Sequence, residues 1–171
     1  MQLVPATDGE LEEVAALVNS AYRGETSRAG WTTEADYLDG QRTDAQALRE
    51  DLAAKPGAVM LLCRDQAELQ GCVWLEPAGG NAWYLGMLTV RPSLQDCGIG
   101  RRLLVAAEDY VRERGGGRVR MVVVGIRNTL IAWYERRGYR LTGETKPFPY
   151  DSRFGIAKRH DLEFVVLEKA L

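Results

Sequence analysis

The sequence predicts an α/β domain of α+β type: a mixed, mostly antiparallel central sheet of about six to seven strands, with helices on both faces. Three observations carry this. The apolar runs "AVMLLCRD", "LQGCVWLEP" and "AWYLGMLTV" follow one another across short polar or glycine turns, the pattern of an antiparallel meander. The third run leads through an amphipathic helix into another apolar run, "RVRMVVVG", and such a strand–helix–strand crossover makes parallel neighbours. Helices on either side of the meander each show one apolar face, so the sheet is covered on both sides.

The elements follow in order. "QLVPAT" reads as an opening or edge strand. Thr7 with Glu10 is a capping-box pair, and Leu11, Val14, Ala15, Val18 and Tyr22 recur at helical spacing behind it. Residues 23–44 are polar and lack a clean period, with a short helix expected from Thr33 to Leu38. Thr43 with Gln46 forms a second capping pair, opening a helix that closes near Pro56 and Gly57. After the meander, Ile99, Leu103, Ala107 and Val111 place one helix face on the core, and Gly115 to Gly117 end it. "RVRMVVVG" is apolar enough to be read as buried on both faces. "TLIAWYERR" is a helix stopped by Gly138, and "YRLTGE" and "DLEFVVLEKAL" are the last two strands. With no repeat and no internal boundary, residues 1–171 read as a single domain.

Composition narrows the function. A net charge of -2 argues against a protein that coats nucleic acid. No stretch is long enough to span a bilayer and no leader-like run follows Met1, so the expectation is cytoplasmic. Cys63, Cys72 and Cys97 are irregularly spaced and only His160 could join them, so neither a disulfide framework nor a metal site is expected.

The chemistry gathers at "VRPSLQDCGIGRRLL", Val90 to Leu104, where glycines precede a helix start already rich in positive charge. A dinucleotide fingerprint would need a third glycine and a Walker loop a Gly-Lys-Ser/Thr ending; both are absent. What remains is either a turn that lets the helix pack closely or an anion cradle. In the cradle, backbone N–H groups, the helix dipole and Arg101 and Arg102 converge on phosphate oxygens. Cys97, at the same helix start, has no neighbouring histidine and is read as a bystander.

With Val90-Arg91-Pro92 before it and Gln95-x-x-Gly98-x-Gly100 within it, this loop resembles the pyrophosphate-binding motif of the GNAT superfamily of N-acetyltransferases. The strands "LGMLTV" and "VRMVVVG" and the helix ending "WYERRGY" stand in the family's order, and the resemblance runs from about Leu3 to Leu167. It implies acetyl-CoA as cofactor, lying where the sheet splays after the glycine-loop strand. Backbone groups of Leu88, Thr89 and Val90 would pair with the pantetheine arm, and Gln95, Asp96, Cys97, Gly98, Ile99, Gly100 and Arg101 would hold the pyrophosphate with Arg102 beside them. Tyr134 would be the general acid toward the departing sulfur, a neutral phenol able to donate a proton. The Leu88 amide would be the oxyanion donor. Two departures stand out: Arg127 occupies the place where the family commonly has an asparagine, with Asn128 one position late as either a cofactor contact or a helix N-cap, and Tyr84 stands where several members carry a basic glutamate. The base is therefore unassigned.

The resemblance implies transfer of an acetyl group to a primary amine of a small molecule or peptide by direct attack on the thioester. The missing strand carboxylate keeps a non-catalytic acyl-CoA-binding or sensing domain as the alternative. Nucleic-acid and membrane partners are not expected. For the acceptor, Trp31, Glu34, Tyr84 and Tyr150 are the candidate contacts. Glu25, Glu34, Asp36 and Asp39 with Trp31 suit a cationic amine, whereas Arg28, Arg42, Arg153, Lys158 and Arg159 suit a carboxylate or phosphate. "PFPY", Pro147 to Tyr150, suits either an acceptor rim or a homodimer contact. The sequence leaves these choices open.

Overall fold

The computed structural model describes residues 1–151 and 155–171. The chain runs through β1 (Val4–Pro5), α1 (Leu11–Tyr22), α2 (Gly24–Ser27), β2 (Leu38–Asp39), α3 (Ala45–Ala54), β3 (Val59–Asp65), β4 (Glu68–Pro77) and β5 (Ala82–Val90). It continues through α4 (Ile99–Glu113), β6 (Arg118–Val124), α5 (Asn128–Glu135), β7 (Arg140–Pro147), β8 (Ile156–Ala157) and β9 (Glu163–Ala170). Among the described residues, seven strands form one sheet in the order β1-β3-β4-β5-β6-β9-β7, and β2 pairs with β8 apart from it. Every pairing in the large sheet is antiparallel except β5 with β6, the crossover pair.

The helix layers follow from side-chain alternation. On β3, Leu61 and Cys63 face one core with α4 and α5, while Met60 and Leu62 face the other with α1 and α3. Val73 and Leu75 against Cys72 and Trp74 repeat this on β4. Each fully buried Leu or Val contributes about 1.5–3 kcal/mol, so both layers are held by burial rather than by helix propensity.

Several expectations change in detail. Glu10 Oε2 accepts from both the Thr7 amide (2.8 Å) and its hydroxyl (2.9 Å), but this pair opens a single 3₁₀ turn, Asp8–Glu10, ahead of α1. The cap of α3 is Asp44, whose carboxylate accepts from the Ala47 amide at 2.8 Å, not Thr43. The expected helix from Thr33 to Leu38 is replaced by a turn leading into β2, and the helical turn lies earlier, in α2. On β6 only Val119, Met121 and Val123 reach the large core; Arg120 pairs with Glu144 and Glu168, and Val122 is half-buried. The strand read as buried on both faces is closed on one; on the other only Val124 is buried, and Arg118 and Arg120 carry charge there.

A separation in the sheet makes the site. β5 and β6 pair only through Ala82–Arg118, Trp83–Val119 and Tyr84–Arg120, so Leu85 to Val90 have no partner on the β6 side. On the β4 side the register jumps between Cys72 and Trp74, passing over Met87 and Leu88. Met87 sits at φ 46, the left-handed region, as the turning point of this β-bulge.

Candidate active site

Two clefts open where the sheet splays. The first lies between β5 and β6 and is lined by Tyr22, Arg23, Glu34, Arg42, Tyr84, Arg127 and Tyr134, with Leu38, Met87, Val124, Phe148 and Phe164 as apolar wall. The second runs over the start of α4 and is lined by Trp31, Val90, Gln95, Asp96, Gly98, Gly100, Arg101, Trp133 and Arg137. Leu88, Leu130 and Tyr134 line both, so the two clefts meet at these residues.

The floor of the second cleft is built for a close approach. Asp96 (φ 64) and Gly98 (φ 75) both take left-handed backbone, and a Cβ on Gly98 would meet nothing within 4 Å. Gly98 is the N-cap of α4 with no side chain over the helix end, which leaves its first amides open to an anion. Arg101 and Arg137 add charge. Burial, and then Arg136 and Arg101, push the Arg137 guanidinium below its ordinary pKa, and its buried Nε–H has no acceptor among the described residues. An anion would relieve both penalties. Arg137 also lies 3.6 Å over the Trp133 ring and donates to the Trp133 carbonyl at 2.6 Å, which fixes it at the cleft wall. The residues present fit a polyphosphate.

The first cleft is dominated by a buried ion cluster. Glu34 accepts from Arg23 Nη1 on one oxygen and from Arg127 Nη1 on the other at 2.9 Å, and all three side chains are at most 9% exposed. Arg127 Nη2 also donates to Thr32 Oγ1 at 2.7 Å. Burial works against the Arg127 charge, but the Glu34 carboxylate outweighs it and holds the guanidinium protonated. The phenols here are kept neutral by desolvation: Tyr84 is pushed up to about 12, Tyr22 is raised, and Tyr134 is raised well beyond the ordinary phenol range. Tyr22 donates to the Leu88 carbonyl at 3.3 Å, tethering α1 to the bulge. Tyr134 makes no side-chain hydrogen bond among the described residues, so its hydroxyl stays available at the junction.

The residues expected from the sequence distribute between the clefts. Leu88, Val90, Gln95, Asp96, Gly98, Gly100 and Arg101 line the second one. Gln95 spans it, its amide donating to the Val90 carbonyl at 3.2 Å and its carbonyl accepting from the Trp31 amide at 3.0 Å. Trp31, expected with the acceptor, packs against Trp133 with ring centroids 6.3 Å apart on the α4 side. Thr89 is buried and its hydroxyl donates to the Met87 carbonyl at 2.9 Å; Ile99 is in the core; Cys97 and Arg102 are exposed and line neither cleft. Asn128 is the first residue of α5, exposed and off both clefts, while the cap position is Arg127. Glu34 and Tyr84 line the first cleft. Tyr150 does not; its hydroxyl closes a loop with Leu162, and Phe148 supplies the aromatic wall instead.

Of the acidic candidates, only Glu34 reaches the first cleft. Glu25 and Asp36 pair with Arg28, and Asp39 with Lys158. Of the basic candidates, Arg42 lines it; Arg159 pairs with Asp161, and Arg153 lies outside the described residues. Sequence reasoning missed Tyr22, Arg23, Trp133 and Arg137 as lining residues. Arg137 alone carried a visible signal, as the second arginine of "WYERRGY".

A family model described as the acetyltransferase (GNAT) family matches residues 11–139. No curated protein sequence matches the chain. Among solved structures, ribosomal-protein-alanine N-acetyltransferase from Brucella melitensis aligns over 100% of both chains with a TM-score of 0.71 and 20% identity. The PaiA N-acetyltransferase from Thermoplasma acidophilum, solved with coenzyme A, aligns over 99% of this chain and 98% of its own, with a TM-score of 0.70 and 16% identity. Nourseothricin acetyltransferase aligns over 67% of this chain and 66% of its own, with a TM-score of 0.57 and 22% identity, so the chain spans about two thirds of that relative. These structural likenesses are likenesses of fold.

Proposed function

The chain belongs to the GNAT acetyltransferase family, an N-acetyltransferase with acetyl-CoA as its donor, and we propose that it moves the acetyl group to a primary amine of a small molecule or peptide by direct attack on the thioester. Acetyl-CoA would supply the activated acyl group, with the coenzyme A thiol as leaving group. The observation that carries the reading is the meeting of the two clefts at Leu88, Leu130 and Tyr134. A polyphosphate-bearing donor in the second cleft and an amine in the first come together only there.

The chain's own residues then divide the work. The amides at the start of α4, with Arg101 and Arg137, hold the pyrophosphate, and the unpaired edge of β5 from Leu88 to Val90 offers backbone groups to the pantetheine arm. The Leu88 amide, carried on the bulge, stabilises the oxyanion; a donor in that role is worth about 2.7–4 kcal/mol. Tyr134, kept protonated by its burial, would give its proton to the departing sulfur as the C–S bond breaks, and the proton that the nitrogen sheds after the C–N bond forms would return to the phenolate. The apolar wall and the cations of the first cleft disfavour an ammonium, so the amine reacts in its neutral form without a strand carboxylate.

The test is a calorimetric titration with coenzyme A beside free-thiol release from acetyl-CoA across amines, amino acids, aminoglycosides, polyamines and short peptides. Binding with thiol release on one class of amine supports the reading. Binding with no release on any amine gives the sensing domain instead, and no binding rejects the second cleft as the cofactor site.

A further inference from the structure

The first cleft bears on which amines can enter it. Its described lining holds three guanidiniums, Arg23, Arg42 and Arg127, and a single carboxylate, Glu34. Both oxygens of that carboxylate are already committed, one to Arg23 and the other to Arg127. A cationic amine would have to compete with a buried guanidinium for Glu34. The other acidic residues of the 23–44 segment that would suit an ammonium are turned to Arg28 and Lys158 and do not line the cleft.

The cationic side of the cleft is organised around one ring. Arg42 lies 6.0 Å and Arg127 5.8 Å from the centroid of Tyr22. Arg127 is buried, stays charged, and has an Nε–H with no acceptor among the described residues. A buried unsatisfied donor beside a ligand cleft calls for an acceptor oxygen on the ligand. Leu38, Met87, Val124, Phe148 and Phe164 supply the apolar part of the lining.

We infer that the acceptor is an amine that also carries an oxyanion and an apolar body, as an apolar α-amino acid does, with its carboxylate received by the Arg42–Arg127 wall around Tyr22 and its amine turned toward Tyr134. This rests on the acetyl-transfer reading of the same site. Guanidinium and carboxylate are well matched in shape as well as charge, and the apolar wall takes the side chain.

The experiment compares three forms of one scaffold: L-phenylalanine, phenethylamine and L-phenylalanine methyl ester, with the matching L-methionine and L-leucine sets. The ester controls for amine protonation, because its amine is the least basic of the three and has the largest neutral fraction near neutral pH. In at least one set the acid gives a kcat/KM at least tenfold above both partners, and in the coenzyme A-saturated protein it binds at least tenfold more tightly by calorimetry. Arg42→Gln collapses that ratio toward one, chiefly through KM, and Arg42→Lys restores part of it; coenzyme A binding by each variant reports an intact fold. Acids that react and bind no better than their esters and amines overturn the inference while leaving acetyl transfer standing. A preference that survives Arg42→Gln overturns the arginine wall as its cause. Loss of coenzyme A binding by the native protein removes the acetyl-transfer reading and this inference with it.

Discussion

Glu34 and Arg127, 93 residues apart in the chain, meet at 2.9 Å in a part of the molecule almost closed to solvent. With Arg23 on its other oxygen, Glu34 is the keystone between the 23–36 segment and the start of α5. Removing one partner of a buried ion pair costs about 3–5 kcal/mol, because the survivors stay buried without compensation. Glu34→Ala therefore lowers unfolding free energy by that order in urea denaturation. Asp36→Ala, which breaks only the exposed pair with Arg28, leaves the midpoint nearly where it was.

Tyr134 stands where both clefts meet, with no hydrogen bond that would bind its hydroxyl elsewhere among the described residues. Tyr134→Phe keeps the ring packing against Trp133 and Tyr139, at centroid distances of 5.0 and 5.6 Å, and deletes only the proton donor. Steady-state kinetics should show kcat reduced about 10²-fold with KM for acetyl-CoA changed little, the pattern of a group that acts in the transition state. A kcat within threefold of the native value would discard the acid role.

Legibility in the sequence tracked the range of the interaction. The glycine loop was readable because its signal is local: a left-handed Gly98, a proline before it and arginines behind it fall within a dozen residues. The meander was readable because turn residues and apolar runs fix antiparallel order by themselves. Arg127 was visible only as a residue out of place, since its partner Glu34 arrives from the far end of a segment without periodicity. Trp31 was placed with the acceptor by its neighbours in sequence, yet Gln95 and Trp133 hold it on the cofactor side. Asp44 rather than Thr43 caps α3 because two adjacent capping residues offer the same chemistry, and only the backbone angle chooses between them.

Buried phenols set an alkaline limit on stability. Desolvation raises Tyr84 to about 12 and raises Tyr22, Tyr134 and Tyr139 as well. In the unfolded chain each would ionise near about 10. As pH rises past that value the unfolded state gives up protons that the native state keeps, so the phenols' contribution is whole below about pH 10 and falls above it. The buried Cys63 and Cys72 thiols are raised as well and ionise at about 9 when unfolded, so thermal unfolding followed by circular dichroism should give a Tm that begins to slip near that pH and declines steeply beyond about 10. An unchanged Tm well above that point would mean these phenols are not held protonated by the fold.

Gly98 and Gly100 look equivalent in the motif, but the structure separates them. Gly98 takes a left-handed φ of 75, with open space where a Cβ would stand; Gly100 shows no such angle, and its Cβ would make ordinary contact with Trp133 and Val90 at 3.6 Å. An alanine at position 98 pays for the left-handed backbone, about 1–2 kcal/mol, and puts a methyl into the space an anion would use. An alanine at position 100 meets no backbone strain, although position 100 also lines the cleft. Gly98→Ala should therefore lower stability by that order and raise the Kd for coenzyme A at least tenfold in calorimetry, whereas Gly100→Ala leaves stability near the native value. A Gly98→Ala protein that binds coenzyme A as the native one does would mean that the loop serves helix packing alone and that the anion lies elsewhere.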